Sequence, residues 1–307
     1  MSAVTTHRNP RYWPIWMGFG ILRLVSWLPF HTQLGLGRWL GRLAHRFASK
    51  RVHIARRNLE TCFPDKSKPW IDETLKGHFE NLGMSIFEMA MAWYRPQRLA
   101  GRWRFDGIEH LDALTPGPVI LLTGHFGPLE IGGTALKAHG LVFDAVYRED
   151  RNPLVTELIR RGRERSGRRT IEKASIKQMV RSLRDGVPVW YAPDQSYRRK
   201  QSALIDFFGV PAMTNTATTT LAKLGKAKVV GFFPHRRPDY SGYDITITPP
   251  LLDVPSEDAV ADTITMVGLL EAHVRRSPAQ YFWVHRKFKG RPDHLPDIYR
   301  TESDTAA

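Results

Sequence analysis

The sequence predicts an α/β fold, a single domain with a largely parallel central sheet flanked by helices, preceded by an N-terminal membrane helix and a helical segment. Three observations predict it. From about Phe105 onward, short apolar runs of strand length alternate with stretches of helix length, the pattern of parallel strands joined by crossover helices. Before this region, Leu34 to Phe47 and Trp70 to Trp93 carry apolar residues at helical spacing, with a further helix closed by Pro64 between them. Ahead of that, Tyr12 to Phe30 is almost wholly apolar. The expected division is residues 1–31 as a membrane anchor, 32–300 as the main domain and 301–307 as a loose tail.

As a helix rising about 1.5 Å per residue, Tyr12 to Phe30 just reaches across the hydrocarbon core of a bilayer. Trp13, Trp16 and Trp27 near its ends suit headgroup interfaces. Pro14 and Arg23 oppose a span, because an arginine deep in the bilayer costs about 2.5 kcal/mol or more. A single span, a helix lying in the interface and a buried core helix are the three readings. No A-x-A-like site follows, which argues against a cleaved signal peptide. Arg38, Arg42, Arg46, Lys50, Arg51, Arg56 and Arg57 follow the apolar run, so the positive-inside rule places the main body in the cytoplasm. Leu34, Leu36, Leu40, Leu43, Ala44 and Phe47 keep helical spacing with arginines between them, as in a membrane-surface helix or a core helix with a solvated face. Pro64 stops the next helix, and Trp70 to Trp93 reads as one long amphipathic helix whose methionines are packing.

In the α/β region the expected strands are Val119 to Leu122, Val142 to Tyr147, Val187 to Tyr191, Val229 to Phe233 and Tyr243 to Thr248. The expected helices are Glu130 to His139, Pro153 to Arg165, Ser175 to Asp185, Thr214 to Leu224 and Glu257 to Arg276. With 307 residues and 42% hydrophobic content the chain buries a full core. Its formal net charge of +15 points to anionic partners: nucleic acid, an acidic carrier protein or phosphorylated lipid. Cys62 is the single cysteine, which excludes an intrachain disulfide and a thiolate metal cluster and fits a reducing compartment.

The chemistry is expected to centre on Thr123 to Gly133, where His125 follows a strand and Glu130 opens a helix. Turns at the carboxyl ends of strands are where α/β proteins keep their chemistry. Histidine suits proton transfer near neutral pH, and a carboxylate fixes its tautomer, so His125 with Glu130 reads as a general-base unit. The plainer reading is a turn histidine bonded to backbone. Asp194, presented by Pro193 after a strand, reads as a turn or cap aspartate or as a site residue. Arg148 follows another strand, and Arg163 lies in an arginine-rich helix from which it could reach the site. Phe233 to Arg237 and His285 to Arg291 are two basic clusters suited to phosphate or carboxylate. No zinc helix, magnesium carboxylate cluster, G-x-S-x-G elbow, Walker A loop or G-x-G-x-x-G is present, so no metal or cofactor is expected.

The order and spacing of several blocks resemble the lipid A biosynthesis late acyltransferases, within the wider glycerolipid acyltransferase-like superfamily. These blocks are Asn9 to Trp13, Asn58 to Pro64, Met91 to Tyr94, His125 with Glu130, Tyr147-Arg148 and Asn152-Pro153. They continue through Val189 to Asp194, Ala217 to Thr220, Val230 to Pro234, Gln280 to Trp283 and His285 to Pro292. The resemblance covers nearly the whole chain and looks most like the lauroyltransferase branch. It implies transfer of a fatty acyl chain from an acyl carrier protein to a hydroxyl of Kdo2-lipid IVA at the cytoplasmic face of the inner membrane. It implies His125 and Glu130 as the H-x4-D/E catalytic dyad and Arg163 and Asp194 as further essential positions. Where the superfamily's glycerol phosphate enzymes have E-G-T, this chain has Asp194-Gln195-Ser196, which counts against a glycerol phosphate or lysophosphatidate acceptor. A lysophospholipid acyltransferase is the alternative enzyme. A basic, membrane-tethered nucleic-acid-binding protein is suggested by charge alone, but no binding motif supports it, and nucleic acid is not an expected partner.

Overall fold

The computed structural model describes residues 9–300; the tail expected at Thr301 to Ala307 lies outside them. The described residues begin with a 3-10 turn (Pro10–Tyr12) and continue with four helices, α1 (Trp13–Val25), α2 (Phe30–Phe47), α3 (Ser49–Cys62) and α4 (Lys68–Tyr94). The expected membrane helix does not form: among the described residues no helix is long and apolar enough to cross a membrane. The 13 residues of α1 extend about 20 Å, short of the roughly 30 Å hydrocarbon core. The apolar run is broken by its own polar groups. Ser26 Oγ donates to the Arg23 carbonyl at 2.6 Å, and Gln33 Nε2 donates from α2 to the Leu28 carbonyl at 2.8 Å. Pro29 caps α2 and disfavours a helical Leu28. Arg95 lies 3.3 Å from the Trp27 ring centroid and pins the turn to the end of α4.

α2 sits on α4 backbone to backbone. A Cβ on Gly37 would lie 2.6 Å from the Met84 Cα, one on Gly41 would strike the Phe79 carbonyl, and one on Gly83 would strike the Gly37 carbonyl. Arg38 and Arg42, read above as part of a positive flank, turn back to Glu80 on α4 at 3.3 and 2.6 Å. The opposite faces of α1 and α2 stay uncovered. Trp13, Met17, Ile21 and Leu24 form one exposed stripe, and Leu36, Trp39, Leu43 and Phe47 another, at i, i+3 and i+4 spacing.

The α/β region follows as β1 (Trp103–Asp106), α5 (Ile108–Asp112), β2 (Val119–Leu122), α6 (Leu129–Ala138), β3 (Asp144–Tyr147), α7 (Pro153–Arg163), β4 (Arg169–Glu172), α8 (Ile176–Arg184) and β5 (Val189–Tyr191). It continues with β6 (Ser202–Phe207), β7 (Val210–Asn215), α9 (Ala217–Gly225), β8 (Lys228–Arg236), β9 (Tyr243–Pro250) and α10 (Ala259–Arg276). Seven strands make one sheet in the order β1-β9-β8-β2-β5-β3-β4, parallel at every junction except β8 with β9. β6 and β7 form a separate antiparallel hairpin. The α/β architecture with a largely parallel sheet is the one expected.

Alternate residues of the central strands serve opposite faces. Ile120, Leu122, Val189, Tyr191 and Val229 pack with Met179, Leu183 and Leu221 on one side. Val119, Leu121, Trp190, Val230 and Phe232 pack with Ala135, Leu136 and Phe143 on the other. Every residue of β2 is buried. This strand and its parallel neighbour β5, in register at Leu122 and Tyr191, carry the site at their carboxyl ends.

Candidate active site

His125 lies three residues past Leu122, and Asp194 three residues past Tyr191. Because those two strand ends are paired, with the Thr123 N–H donating to the Tyr191 carbonyl at 3.0 Å, the two loops leave the sheet side by side. His125 Nδ1 lies 2.5 Å from Asp194 Oδ1, and the His125 backbone N–H donates to Asp194 Oδ2 at 3.0 Å. The Asp194 side chain is 2% exposed and that of His125 is 35% exposed. Burial alone would raise the Asp194 carboxyl. The His125 charge, the two His125 hydrogen bonds and the Lys287 charge outweigh it and hold the group far below the usual carboxylate range. An ionised Asp194 accepts a hydrogen bond from the Nδ1–H, so Nε2 is the basic nitrogen, and it has no hydrogen-bond partner among the described residues.

The carboxylate on the imidazole is therefore Asp194, 69 residues away in sequence, rather than the expected Glu130. Glu130 sits in the first turn of α6, and both of its oxygens are engaged elsewhere. Arg163 Nε donates to Oε1 at 2.8 Å and Trp93 Nε1 donates to Oε2 at 2.9 Å. Gly162 makes this possible. A Cβ there would overlap the Trp93 indole, so only glycine lets α7 come close enough for the adjacent Arg163 to reach Glu130.

His125, Arg148 and Arg163 line one cavity of about 90 Å³ together with Tyr147, Lys173, Tyr191 and Gln195. The structure thus gathers His125, Asp194, Arg163 and Arg148, with Glu130 bracing Arg163. Arg148 and Lys173 are neighbours because β3 and β4 are parallel and in register at Tyr147 and Glu172. A second cavity, small and mostly apolar, lies behind Asp194 between Leu122, Phe233, Met266 and Leu270.

The two basic clusters are largely spent on structure. Arg236 is buried and bidentate to Glu88, both distances 2.6 Å, while the Tyr243 hydroxyl donates to the same carboxylate at 2.7 Å. Arg237 pairs with Asp244 at 2.8 Å. In the later cluster Lys287 is buried, and its Nζ donates to the Asp194 carbonyl at 2.7 Å. The sequence placed Trp93 on the packed face of a helix and Lys287 in a basic cluster suited to phosphate or carboxylate, and it assigned Gly162 no role. Trp93 and Lys287 do lie inside conspicuous blocks, Met91 to Tyr94 and His285 to Pro292.

Residues 2–290 match the family model described as bacterial lipid A biosynthesis acyltransferase. The chain is 39% identical over 297 residues to the lipid A biosynthesis lauroyltransferase of Escherichia coli K12, covering 95% of this chain and 96% of that protein. It is 37% identical over 299 residues to the lipid A biosynthesis palmitoleoyltransferase of the same organism, covering 95% and 96%. A lipid A biosynthesis acyltransferase of Haemophilus influenzae is 34% identical over 301 residues, covering 94% and 95%. A family model spanning nearly the whole chain and relatives this similar over 96% of their length establish that the chain belongs to the bacterial lipid A biosynthesis acyltransferases.

Proposed function

We propose that this enzyme transfers a fatty acyl group from an acyl carrier protein thioester to a hydroxyl on an acyl chain of Kdo2-lipid IVA, with His125 as general base. The observation that carries the proposal is an imidazole whose Nδ1 is held by a buried carboxylate while Nε2 is open beside a cavity walled by cations. A lipid hydroxyl is a poor nucleophile until its proton leaves. Nε2 takes that proton as the oxygen attacks the thioester carbonyl, and the tetrahedral intermediate then expels the thiolate, which takes the proton from the imidazolium and leaves as the thiol. Proton transfer by a positioned base contributes roughly 10²- to 10⁴-fold. Asp194 keeps the ring in the productive tautomer and balances its charge. Arg163, set by Glu130, and Arg148 are the proposed contacts for phosphate or oxyanion. The amides of Leu129 and Glu130, which have no intrahelical acceptor at the start of α6, are further proposed donors to the oxyanion.

Net charge favours an acidic carrier protein and a phosphorylated acceptor alike. The uncovered stripes of α1 and α2 are proposed to lie in the interface of the inner membrane on its cytoplasmic side, not to cross it. Lauroyl is the proposed donor chain, after the 39% identical relative.

The test is turnover of purified protein with acyl carrier protein thioester and Kdo2-lipid IVA. Wild type should acylate this acceptor in preference to lysophosphatidate, and His125→Ala should lose about 10²- to 10⁴-fold in rate while folding normally. Undiminished turnover by His125→Ala removes the histidine from the reaction. Competition between C12 and C16:1 thioesters, read by product mass, decides the chain length.

A further inference from the structure

The segment 280–289 touches both halves of the His125–Asp194 pair. At one end, the His125 turn is tied to it by three features: the Gly127 N–H donates to the Gln280 carbonyl at 2.9 Å, Phe126 bridges Tyr281 in antiparallel fashion, and the Phe282 N–H donates to the His125 carbonyl at 3.0 Å. At the other end, the Asp194 loop is tied to it by Lys287 at 2.7 Å. The Ser196 Oγ also donates to the Lys289 carbonyl at 2.9 Å, and the Ser196 N–H to His285 Nε2 at 3.3 Å. Main chain, hydroxyl and imidazole make all of these bonds but one. The exception uses a charged side chain that is 2% exposed.

A buried ammonium is costly unless something in the interior answers its charge. Lys287 Nζ has the Asp194 carbonyl at 2.7 Å and the Phe207 ring at 4.5 Å to its centroid. Holding a carbonyl alone would not require a charge, since an amide or hydroxyl donates as well. Burial lowers the Lys287 pKa, and Asp194 is the strongest of the groups opposing that, ahead of Cys62 and Glu271. In return Lys287 is among the groups that keep Asp194 ionised. The charge is therefore placed where it acts on the carboxylate of the pair. Tyr281 and His285 also face Asp194, and both are uncharged near neutral pH: burial raises the Tyr281 phenol and lowers His285 to about 4.

We propose that Lys287 is a positioning residue of the reaction, fixing the Asp194 loop by its hydrogen bond and the ionisation of Asp194 by its charge, and through both the orientation of the His125 ring. The proposal rests on His125 acting as the base. Lys287 takes no part in bond making. It sets the aspartate, the aspartate sets the tautomer, and the tautomer leaves Nε2 free.

The experiment compares Lys287→Met, Lys287→Gln and Lys287→Arg with wild type and with His125→Ala, following kcat, KM and the pH profile of kcat/KM on the same folded fraction. Lys287→Met is expected to lower kcat about 10- to 100-fold with the KM of each substrate within about threefold. Removing the positive charge beside the Asp194–His125 pair favours the protonated pair, so the acidic limb of the profile should move to higher pH. Lys287→Gln, which keeps a donor for the carbonyl, should show the same displaced limb with a smaller loss of kcat. Lys287→Arg should return the limb to its wild-type position. If Lys287→Met does not fold, the Gln and Arg variants carry the comparison. A normal kcat and an unmoved limb in the folded variants would overturn the proposal, because a purely structural lysine changes the melting temperature and neither of these. Normal turnover by His125→Ala would instead overturn the assignment of the base, leaving a different signature from failure at Lys287.

Discussion

Asn in place of Asp194 and Gln in place of Glu130 separate the two carboxylates of the site. Asparagine can no longer favour the Nδ1–H tautomer or balance an imidazolium, so Asp194→Asn should lower kcat roughly 10²- to 10⁴-fold with little change in KM. Glu130→Gln leaves the imidazole alone and loosens Arg163, whose guanidinium is held by the 2.8 Å pair with Glu130. The expected loss is about tenfold in kcat/KM, appearing mainly in KM, since the pair is partly exposed and its strength is moderated by solvent. Steady-state kinetics on both variants, side by side, check this. An equal loss in kcat alone from Glu130→Gln would put Glu130 on the path of the proton. The sign for Asp194 is also fixed. A carboxyl depressed in the folded state contributes stability above its unfolded pKa of about 3.9 and loses it as pH falls through the lower folded value. Across the neutral range Asp194 stays ionised.

The contact between α2 and α4 makes a matched pair of predictions at the scale of the element. Gly→Ala inside a helix gains about 0.5–1 kcal/mol where nothing obstructs the methyl group. At Gly35, where no atom lies within 4 Å of the added Cβ, that gain should be observed. At Gly41 the same substitution meets the Phe79 carbonyl, and overpacking of about 1–3 kcal/mol outweighs the gain. Urea unfolding should show Gly35→Ala stabilised and Gly41→Ala destabilised. The sequence made α2 legible as a helix through Leu34, Leu40 and Phe47, but apolar periodicity says nothing of which small residues touch backbone. β2, β3, β5 and β8 were legible because they contain apolar runs, and β9 because its apolar and polar residues alternate. β4, Arg169–Glu172, was not, being a polar edge strand. The β6–β7 hairpin was hidden by its turn, where Phe208 and Gly209 have φ of 55° and 73°. A phenylalanine at positive φ lacks the Asn-Gly or Asp-Gly signature of such turns. The active site was half legible for a related reason. His125 and Glu130 stand out as a local motif, whereas the pairing of His125 with Asp194 exists only because β2 and β5 are neighbours in the sheet.

At the scale of the whole molecule, the buried histidines His78, His235 and His273 contribute to the response to acid. Burial lowers His78 to about 4, His235 to about 3 and His273 to about 4, with Arg276 adding to the effect on the last two and Asp244 opposing it at His235. Below about pH 6.5 the unfolded chain takes up protons that the folded chain refuses, so stability declines as pH falls. At pH 5 each histidine costs about 2 kcal/mol, roughly 4–6 kcal/mol together, to be read from urea midpoints at pH 7.5 and pH 5. The uncovered stripes of α1 and α2 set the second response, to lipid. Not long and apolar enough to span, they still present Trp13, Met17, Ile21 and Leu24 beside Trp39, Leu43 and Phe47 on one end of a chain with a net charge of +15. Apolar side chains entering the headgroup boundary contribute in proportion to the area they bury, and basic residues near an anionic surface add about 1 kcal/mol each. Vesicles containing anionic lipid should therefore bind the protein, and 0.5 M salt should weaken that binding by screening its electrostatic part. Trp39→Ala with Phe47→Ala removes about 2–4 kcal/mol of insertion, equivalent to a roughly 30- to 1000-fold weaker partition coefficient in vesicle co-sedimentation. Because both side chains are exposed and far from His125 in sequence, the double variant should keep wild-type turnover on detergent-dispersed acceptor and lose it only when the acceptor is presented in a bilayer. Equal loss in both assays would mean that these residues serve the fold rather than the membrane.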